Sequence, residues 1–311
     1  MSYAQYNLVE ATDYNNLTGG PSSTTANTLN ATWATGTGNA GYGQAAEANV
    51  AIGDTVTAAK WSNLVTKTAS AATHQGSSIS SVTAPVAGGT ITFVSAIPTN
   101  LQTIYTNRLN AATQGTTTSN TVTYGSTWSA ALTFTQTATF ANADAMRYFF
   151  NSGGQIKMTV AHPTGTNINL LFFDLCSNIG TVALSAPVSG TATIAGTAYN
   201  GVTKVGGGGS TPTIDANKGF YALTTANTTL FTQTASTGPA AYLSTFIRFI
   251  AAVNSNTAPT VLTMYTLWDE IPDGYTVSTG SATTLTVTPP ETTNLSNSWG
   301  TITLAGSVSG S

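Results

Sequence analysis

Apolar residues alternate with threonine and serine along much of the chain beyond residue 116. The stretches 121–124, 128–139 and 155–161 are rich in threonine and aromatic residues, which suit a pleated and half-buried surface. Successive side chains of a strand point to opposite faces of a sheet, so a period of two indicates strands with one buried face. The pattern predicts a β-rich, sandwich-like body over residues 116–311.

Two longer apolar runs, at 242–253 and 260–271, are separated by the turn-forming sequence NSNTAP. The first run alone is compatible with an amphipathic helix, but the pair favours a long β-hairpin. Further threonine-rich strands are predicted at 277–287 and 301–308. The run 167–176, NINLLFFDLC, has no clean period, and we assign it to a buried strand with a short helix as the alternative.

The clearest helical spacing lies in the region before the β body. Residues 54–76 keep apolar side chains at helical intervals, with Asp54 placed to cap the start and Gly76 to end the helix. A second helix is predicted at 99–112, just after a proline. Residues 54–115 thus form a predicted two-helix module, and the fold class is mainly β, α+β overall.

Residues 1–53 and 181–210 are rich in glycine and small polar residues, which favour turns and irregular backbone. Residues 1–53 also carry scattered aromatic side chains, so we predict an extended, loop-rich arm that docks on a neighbour or on its own body. A flexible linker is the alternative. The stretch 181–210 predicts a long loop or an edge hairpin.

The segment 141–163 is predicted to be a core hairpin. Its aromatic run Tyr148, Phe149 and Phe150 supplies bulk, and residues 151–154 offer a glycine-bearing turn. Ile156 then opens an alternating strand. Together with Trp268, these residues are the predicted core and assembly candidates; five further side chains are assigned to the core, namely Phe172, Phe173, Phe246, Phe249 and Tyr265.

The sequence FFNSGGQI within this segment resembles a motif of structural proteins of tailed bacteriophages, among tail, collar and fibre components. The Ser/Thr/Gly/Asn-rich style of the remaining chain agrees with that resemblance. It implies a virion component assembled in the host bacterial cytoplasm, with copies of itself and other virion proteins as partners. It implies no catalytic chemistry.

The low fraction of charged residues indicates which kinds of molecule the protein can be expected to bind. Charged residues form 6% of the chain, against about a quarter in ordinary soluble proteins. So few surface charges suit a protein that is packed against copies or partners, and a homo-oligomer is expected. Eight basic residues and a net charge of −3 exclude a phosphate-binding stripe, so no nucleic-acid partner is expected. The absence of a long apolar run predicts no membrane partner, and the start of the sequence shows no secretory signal.

Candidate catalytic groups are sparse. Asp269, Glu270 and Asp273 are close enough in sequence for a two-carboxylate glycosidase site, but the Pro-Asp-Gly sequence there is ordinary turn chemistry. The two histidines, His74 and His162, lack metal-ligand spacing and are expected to be hydrogen-bonded loop residues. We therefore predict no enzyme, no cofactor and no metal.

Other side chains have structural interpretations. Cys176 lies in apolar sequence and is expected to be a small hydrophobe. Asp144 and Arg147 are interpreted as a surface pair of small energetic value, with a salt-bridged anchor as the alternative.

The main alternative function is a receptor-binding or carbohydrate-binding appendage that recognises a host surface glycan. Exposed aromatic rings on loops would stack on sugar rings, and the candidates are Trp33, Tyr199 and Trp299. Two further alternatives are a polysaccharide depolymerase using Asp269 or Asp273, and a secreted bacterial surface protein.

Overall fold

The computed structural model describes residues 10–20, 27–51, 53–89, 95–187, 190–208, 212–215, 217–235, 242–272 and 274–310. The fold is mainly β and α+β overall, as the sequence predicts. The helices are α1 (Ala11–Thr18), α2 (Leu29–Thr32), α3 (Ala58–Gln75), α4 (Ala96–Thr106), α5 (Ala143–Asn151) and α6 (Ile168–Ile179). The strands are β1 (Thr118–Thr123), β2 (Ala131–Thr139), β3 (Gln155–Ala161), β4 (Thr181–Leu184), β5 (Ala192–Ile194), β6 (Thr197–Tyr199), β7 (Val202–Val205), β8 (Thr228–Thr234), β9 (Phe246–Val253), β10 (Val261–Asp269), β11 (Ala282–Thr288) and β12 (Thr303–Gly310).

Two five-stranded antiparallel sheets form a sandwich. The first sheet has the order β1-β11-β3-β4-β7, and the second has the order β12-β2-β10-β9-β8. Phe134 and Trp268 of the second sheet share one buried cluster with Met158 of the first. The hydroxyls of Thr266 and Thr283 also meet across the two sheets at 3.1 Å. Alternating strands therefore bury one face each against the opposite sheet, as their period predicts.

The predicted long hairpin is confirmed. β9 and β10 pair antiparallel, with Tyr265 opposite Ile250 and Trp268 opposite Ile247. The alternation along β10 matches its burial, because every second residue from Leu262 to Trp268 is buried. Trp268 lies in the core as predicted, whereas the Tyr265 side chain is only partly buried on the outer face.

The predicted core hairpin at 141–163 is wrong in its first half, which is helix α5 followed by a turn and β3. The Asn142 side chain accepts a hydrogen bond from Ala145 N and so caps the helix start. Phe149 and Phe150 are buried, as is Ile156 in β3, while Tyr148 is only partly buried. Consecutive aromatic residues are typical of strands, but here Phe149 and Phe150 lie together on the buried face of a helix.

The strand predicted at 167–176 is also wrong, because this run forms α6. The buried residues of α6 recur at helical spacing; they are Ile168, Leu171, Phe172, Leu175, Cys176 and Ile179. Phe173 falls on the opposite face and is 37% exposed, so its assignment to the core is corrected. Phe246 is likewise only partly buried, whereas Phe249 is fully buried.

The two-helix region differs from the predicted boundaries by a few residues. Helix α3 is capped by Thr57, whose hydroxyl accepts a hydrogen bond from Lys60 N, and Asp54 precedes the cap. Gly76 ends α3 in the left-handed conformation with φ 68°, as predicted. Helix α4 begins at Ala96, before Pro98 and not after it as predicted. A proline is tolerated there because the backbone N–H groups of the first helical turn have no helical partner.

The described part of the N-terminal lead-in contains α1 and α2 and is not a fully extended arm. Its large side chains pack on α3 and α4 in a second buried cluster that includes Tyr14, Trp33, Tyr42 and Trp61. The Tyr14 and Trp61 rings meet edge to face, with centroids 5.3 Å apart. The lead-in therefore completes the core of the helical region.

The stretch 181–210 contributes more than a projecting loop. Its ends, β4 and β7, pair with each other and extend the first sheet, with β7 at the edge. Between them, β5 and β6 form a short hairpin of their own. Tyr199 lies in that hairpin and is 5% exposed.

Candidate assembly surface

One side of the sandwich ends in two open edge strands. β1 is the last strand of the first sheet and β12 the last strand of the second. Their sequences, TSNTVT and TLAGSVSG, contain no charged residue and no proline. Most of their residues are exposed, and the remainder are only partly buried. Such strands present unpaired backbone donors and acceptors that can pair with another chain.

The two edge strands lie against each other and are held in place from inside. A Cβ added at Gly306 of β12 would lie 2.5 Å from a methyl carbon of Val122 in β1, so only glycine fits there without movement. The buried Gln136 amide donates to the carbonyls of Asn120 and Thr283, at 3.0 Å each. The pair of edges is therefore a fixed surface.

The opposite side of the sandwich is protected against strand addition. Residues 213–215 cover the outer edge of β8, where Thr213 and Thr232 exchange backbone hydrogen bonds of 3.0 and 2.8 Å. β8 is also interrupted by an irregularity between Thr229 and Phe231. The neighbouring edge strand β7 has four residues and carries Lys204. Covers, bulges, charges and short strands are the usual protections of sheet edges, and within the described residues β1 and β12 have none of them.

Hydroxyl groups cover the outer surface beside these edges. Ser119 bonds to Thr286 and Thr121 to Thr284 across β1 and β11, each at 2.8 Å. On the second sheet, strand pairing aligns one outward row in the order Ser307, Thr135, Tyr265 and Ile250. Threonine and serine hydroxyls that bond to one another leave a neutral surface whose burial costs less than that of charges.

The loop that leads into β12 is fastened to the helical region by a buried contact between His74 and Glu291. His74 Nδ1 lies 3.0 Å from Glu291 Oε1, and His74 Nε2 lies 3.1 Å from the carbonyl oxygen of Ser152. Both ring nitrogens of His74 thus have an oxygen within hydrogen-bonding distance, and the ring joins the Glu291 loop to the turn after α5. His74 is thus a buried helical residue and not the predicted loop residue.

The Glu291 carboxylate is further stabilised by the backbone N–H groups of Thr293 and Asn294. The hydrogen bond to His74 is the largest influence, and the pKa of Glu291 is lowered to about 2. A lowered pKa stabilises the fold above the ordinary carboxyl pKa of about 4.5, and that contribution is lost as the pH falls towards 2.

We expect the Glu291→Gln variant to lose part of the acid sensitivity of the wild type. Between pH 4.5 and pH 2, the melting temperature of the wild type should fall more steeply than that of the variant, because the variant cannot take up this proton. Thermal unfolding followed by circular dichroism across this range measures the difference. Asp54→Asn, at an exposed carboxylate, is the control, and equal slopes for wild type and Glu291→Gln would contradict the assignment.

The predicted sugar-stacking aromatics are not surface groups. Trp33, Tyr199 and Trp299 are 9%, 5% and 3% exposed. Trp33 donates its indole N–H to the carbonyl of Ala45 at 3.1 Å, within the folded lead-in. Stacking on a sugar requires an accessible ring face, so these three residues are corrected to structural roles.

The predicted acidic cluster does not form an open site among the described residues. Glu270 is 0% exposed and accepts backbone hydrogen bonds from Tyr275 at 2.8 Å and from Ala130 at 3.3 Å. It therefore holds two loops together. Asp269 is partly buried at the end of β10, and Asp273 lies outside the described residues.

The remaining polar candidates are also structural. His162 lies within hydrogen-bonding distance of Ser281 and Asn169, and burial lowers its pKa. Burial raises the pKa of the Cys176 thiol, which keeps it protonated and unreactive. Over the residues that the structure describes, no group of three histidine, cysteine or acidic side chains is arranged to hold a metal ion.

The FFNSGGQI segment joins the lead-in to the sandwich. Asn151 is fully buried, and its amide lies within hydrogen-bonding distance of the carbonyls of Gly38, Ala40 and Gly41. Arg147 donates to the carbonyls of Thr35 and Ala40 at 2.8 Å each, in addition to its ion pair with Asp144. The pair predicted as a surface feature is therefore an anchor for the lead-in.

In the part of the chain that is described, no helix combines the length and apolar character needed to cross a membrane. The sequence matches no protein-family model, and comparisons with curated proteins and with solved structures gave no significant match.

Proposed function

We propose that this protein is a structural component of a tailed-phage particle, in the tail, the neck or collar, or a fibre. It acts by associating with copies of itself and by docking to other virion proteins, and it is incorporated into particles assembled in the host bacterial cytoplasm. The proposal involves no catalytic step, no cofactor and no nucleic-acid contact. The phage assignment rests on the resemblance of the FFNSGGQI segment.

The observation that supports self-association is the contrast between the two sides of the sandwich. The β8 edge is covered by residues 213–215, whereas β1 and β12 offer six and eight uncharged residues with no cover in the described structure. A second copy that adds its own edge to β12 would extend the five-stranded sheet by backbone hydrogen bonds. The lack of charge on either strand removes the repulsion that would oppose such pairing.

We expect the purified protein to be a defined oligomer with the same mass at low and high salt. Dissolved salt screens the attraction between charged groups, so it weakens an interface built on ion pairs. It has little effect on an interface built on backbone hydrogen bonds and apolar contacts. Light scattering coupled to size-exclusion chromatography, at low and at high ionic strength, measures the mass. Three copies would favour a fibre, and six or twelve would favour a ring in the tail or neck. A monomer at both salt concentrations would contradict the proposal.

A further inference from the structure

A cleft of about 330 Å³ opens where the lead-in, α5 and the turn between β9 and β10 meet. It lies apart from β1 and β12, and none of the aromatic residues predicted from the sequence to bind sugar lines it. Its size is at the lower end of ligand pockets, which span about 300–1,000 Å³. A ligand of one or two small rings would fill it.

The inner wall of the cleft is apolar and rigid. Phe220 stacks on Phe150 of the core, with ring centroids 4.3 Å apart and planes 9° apart. Leu223 and Val253 continue this wall, and Tyr221 adds a partly exposed ring. The Tyr221 hydroxyl is committed to the Asn151 amide oxygen and the Gly38 carbonyl, at 2.5 and 2.8 Å. The ring is therefore fixed before any ligand arrives, which reduces the entropy lost on binding.

The rim supplies uncommitted polar groups of both kinds. The Asp144 side chain is 62% exposed. Its Oδ1 accepts hydrogen bonds from Arg147, while its Oδ2 accepts none from the described residues. Across the cleft, the Asn256 amide oxygen accepts from Thr225 N, and its NH₂ group has no acceptor in the described structure. An acceptor and a donor beside an apolar wall match a ligand that carries hydroxyl groups on a ring with apolar C–H faces.

The two charged side chains of the cleft, Arg147 and Asp144, do not favour binding of an anionic ligand. Arg147 is the cation of the lining. Its Nε atom donates to Asp144 and its Nη1 atom donates to the Ala40 carbonyl. Its Nη2 atom donates to both the Thr35 carbonyl and Asp144. Its donors are thus used within the protein, and the exposed Asp144 oxygen would repel a phosphate or carboxylate.

From these groups we infer that the cleft binds a neutral saccharide, with the Asp144 carboxylate accepting from ring hydroxyls and Tyr221 contacting the apolar face of the ring. This inference is independent of the assembly proposed above. A shallow cleft with few polar contacts implies weak binding of a single ring, roughly in the millimolar range.

The test uses the full-length protein and three neutral probes, namely methyl glucoside, methyl galactoside and N-acetylglucosamine. Saturation-transfer NMR should detect binding of at least one of them. The Asp144→Ala variant should bind that probe at least tenfold more weakly, and methyl glucuronide should bind the wild type more weakly than methyl glucoside does. Asn297→Ala, at an exposed loop residue outside the cleft, is the control and should bind normally.

Asn256→Ala keeps the test decisive if Asp144→Ala loosens the lead-in, because Asn256 lies in an exposed turn on the other rim. No signal from any neutral probe, or unchanged binding in both variants, would overturn the inference. Light scattering on the same variants separates the two proposals, because loss of saccharide binding should leave the oligomer mass unchanged.

Discussion

Replacing Ala305 and Ser309 together by lysine should convert the oligomer proposed above into a monomer. Both residues are exposed on the outward face of β12, opposite Thr137 and Thr133 of β2. The substitutions leave the inward-facing side chains of β12 unchanged, so the fold should persist. Lysine on an edge strand opposes strand addition, because pairing would bring like charges together. A penalty of about 3 kcal/mol corresponds to association about a hundredfold weaker.

The measurement is the mass by light scattering over a range of protein concentrations, with circular dichroism to show that the fold is retained. Thr234→Lys is the matched control, since it places the same charge at an exposed position of β8, the edge strand on the protected side. The control should keep the wild-type mass. A folded lysine double variant that keeps the wild-type mass would show that copies do not associate through β12.

The His74→Ala substitution should lower the free energy of unfolding by about 3 kcal/mol, because it leaves a buried carboxylate without its partner. His74 is 1% exposed and Glu291 6% exposed, so water cannot replace the lost imidazole at low cost. The carbonyl of Ser152 also loses its donor. The truncated ring leaves a cavity between α3 and the turn after α5, which adds to the loss.

Chemical denaturation at neutral pH measures this change. Asp144→Asn is the comparison, because the Asp144 side chain in the Arg147–Asp144 pair is 62% exposed and Arg147 keeps its carbonyl acceptors. That substitution should cost about 1 kcal/mol or less. The double variant His74→Ala with Glu291→Gln should recover part of the lost stability, since the unpaired charge is then removed. A loss below about 1 kcal/mol in His74→Ala would show that the buried Glu291 carboxylate does not depend on His74 as its partner.

Periodicity in the sequence predicts some elements because their burial is local. The alternation in β10 is visible in the sequence since one of its faces meets the core and the other meets solvent. Helix α3 is equally clear from its spacing and from Gly76 at its end. In α6, apolar residues such as Leu170 and Phe173 also occupy the exposed face, which hides the helical period. In α5, the capping residue Asn142 marks the start of the helix, but the adjacent aromatic residues are also typical of a strand and conceal the helical pattern.

The candidate surface depends on features that local sequence does not contain. The sequence predicts β12 as a strand, but its position at the end of a sheet follows from pairing with β2, more than 160 residues earlier in the chain. The buried pair of His74 and Glu291 likewise joins residues 217 positions apart. Trp33 and Trp299 belong to the two large buried clusters, so turn-rich sequence around an aromatic residue does not make it a surface group.

The loop between β11 and β12 also has a mechanical consequence. Gln44 of the lead-in exchanges two hydrogen bonds of 2.8 Å with the backbone of Ser296, and Glu291 in the same loop is bound to His74. Tension applied to the helical region would therefore reach the edge strand β12 through this loop, without first crossing the sandwich core. In the particle proposed above, the contact between this loop and the lead-in and the contact between subunits through β12 would transmit force one after the other.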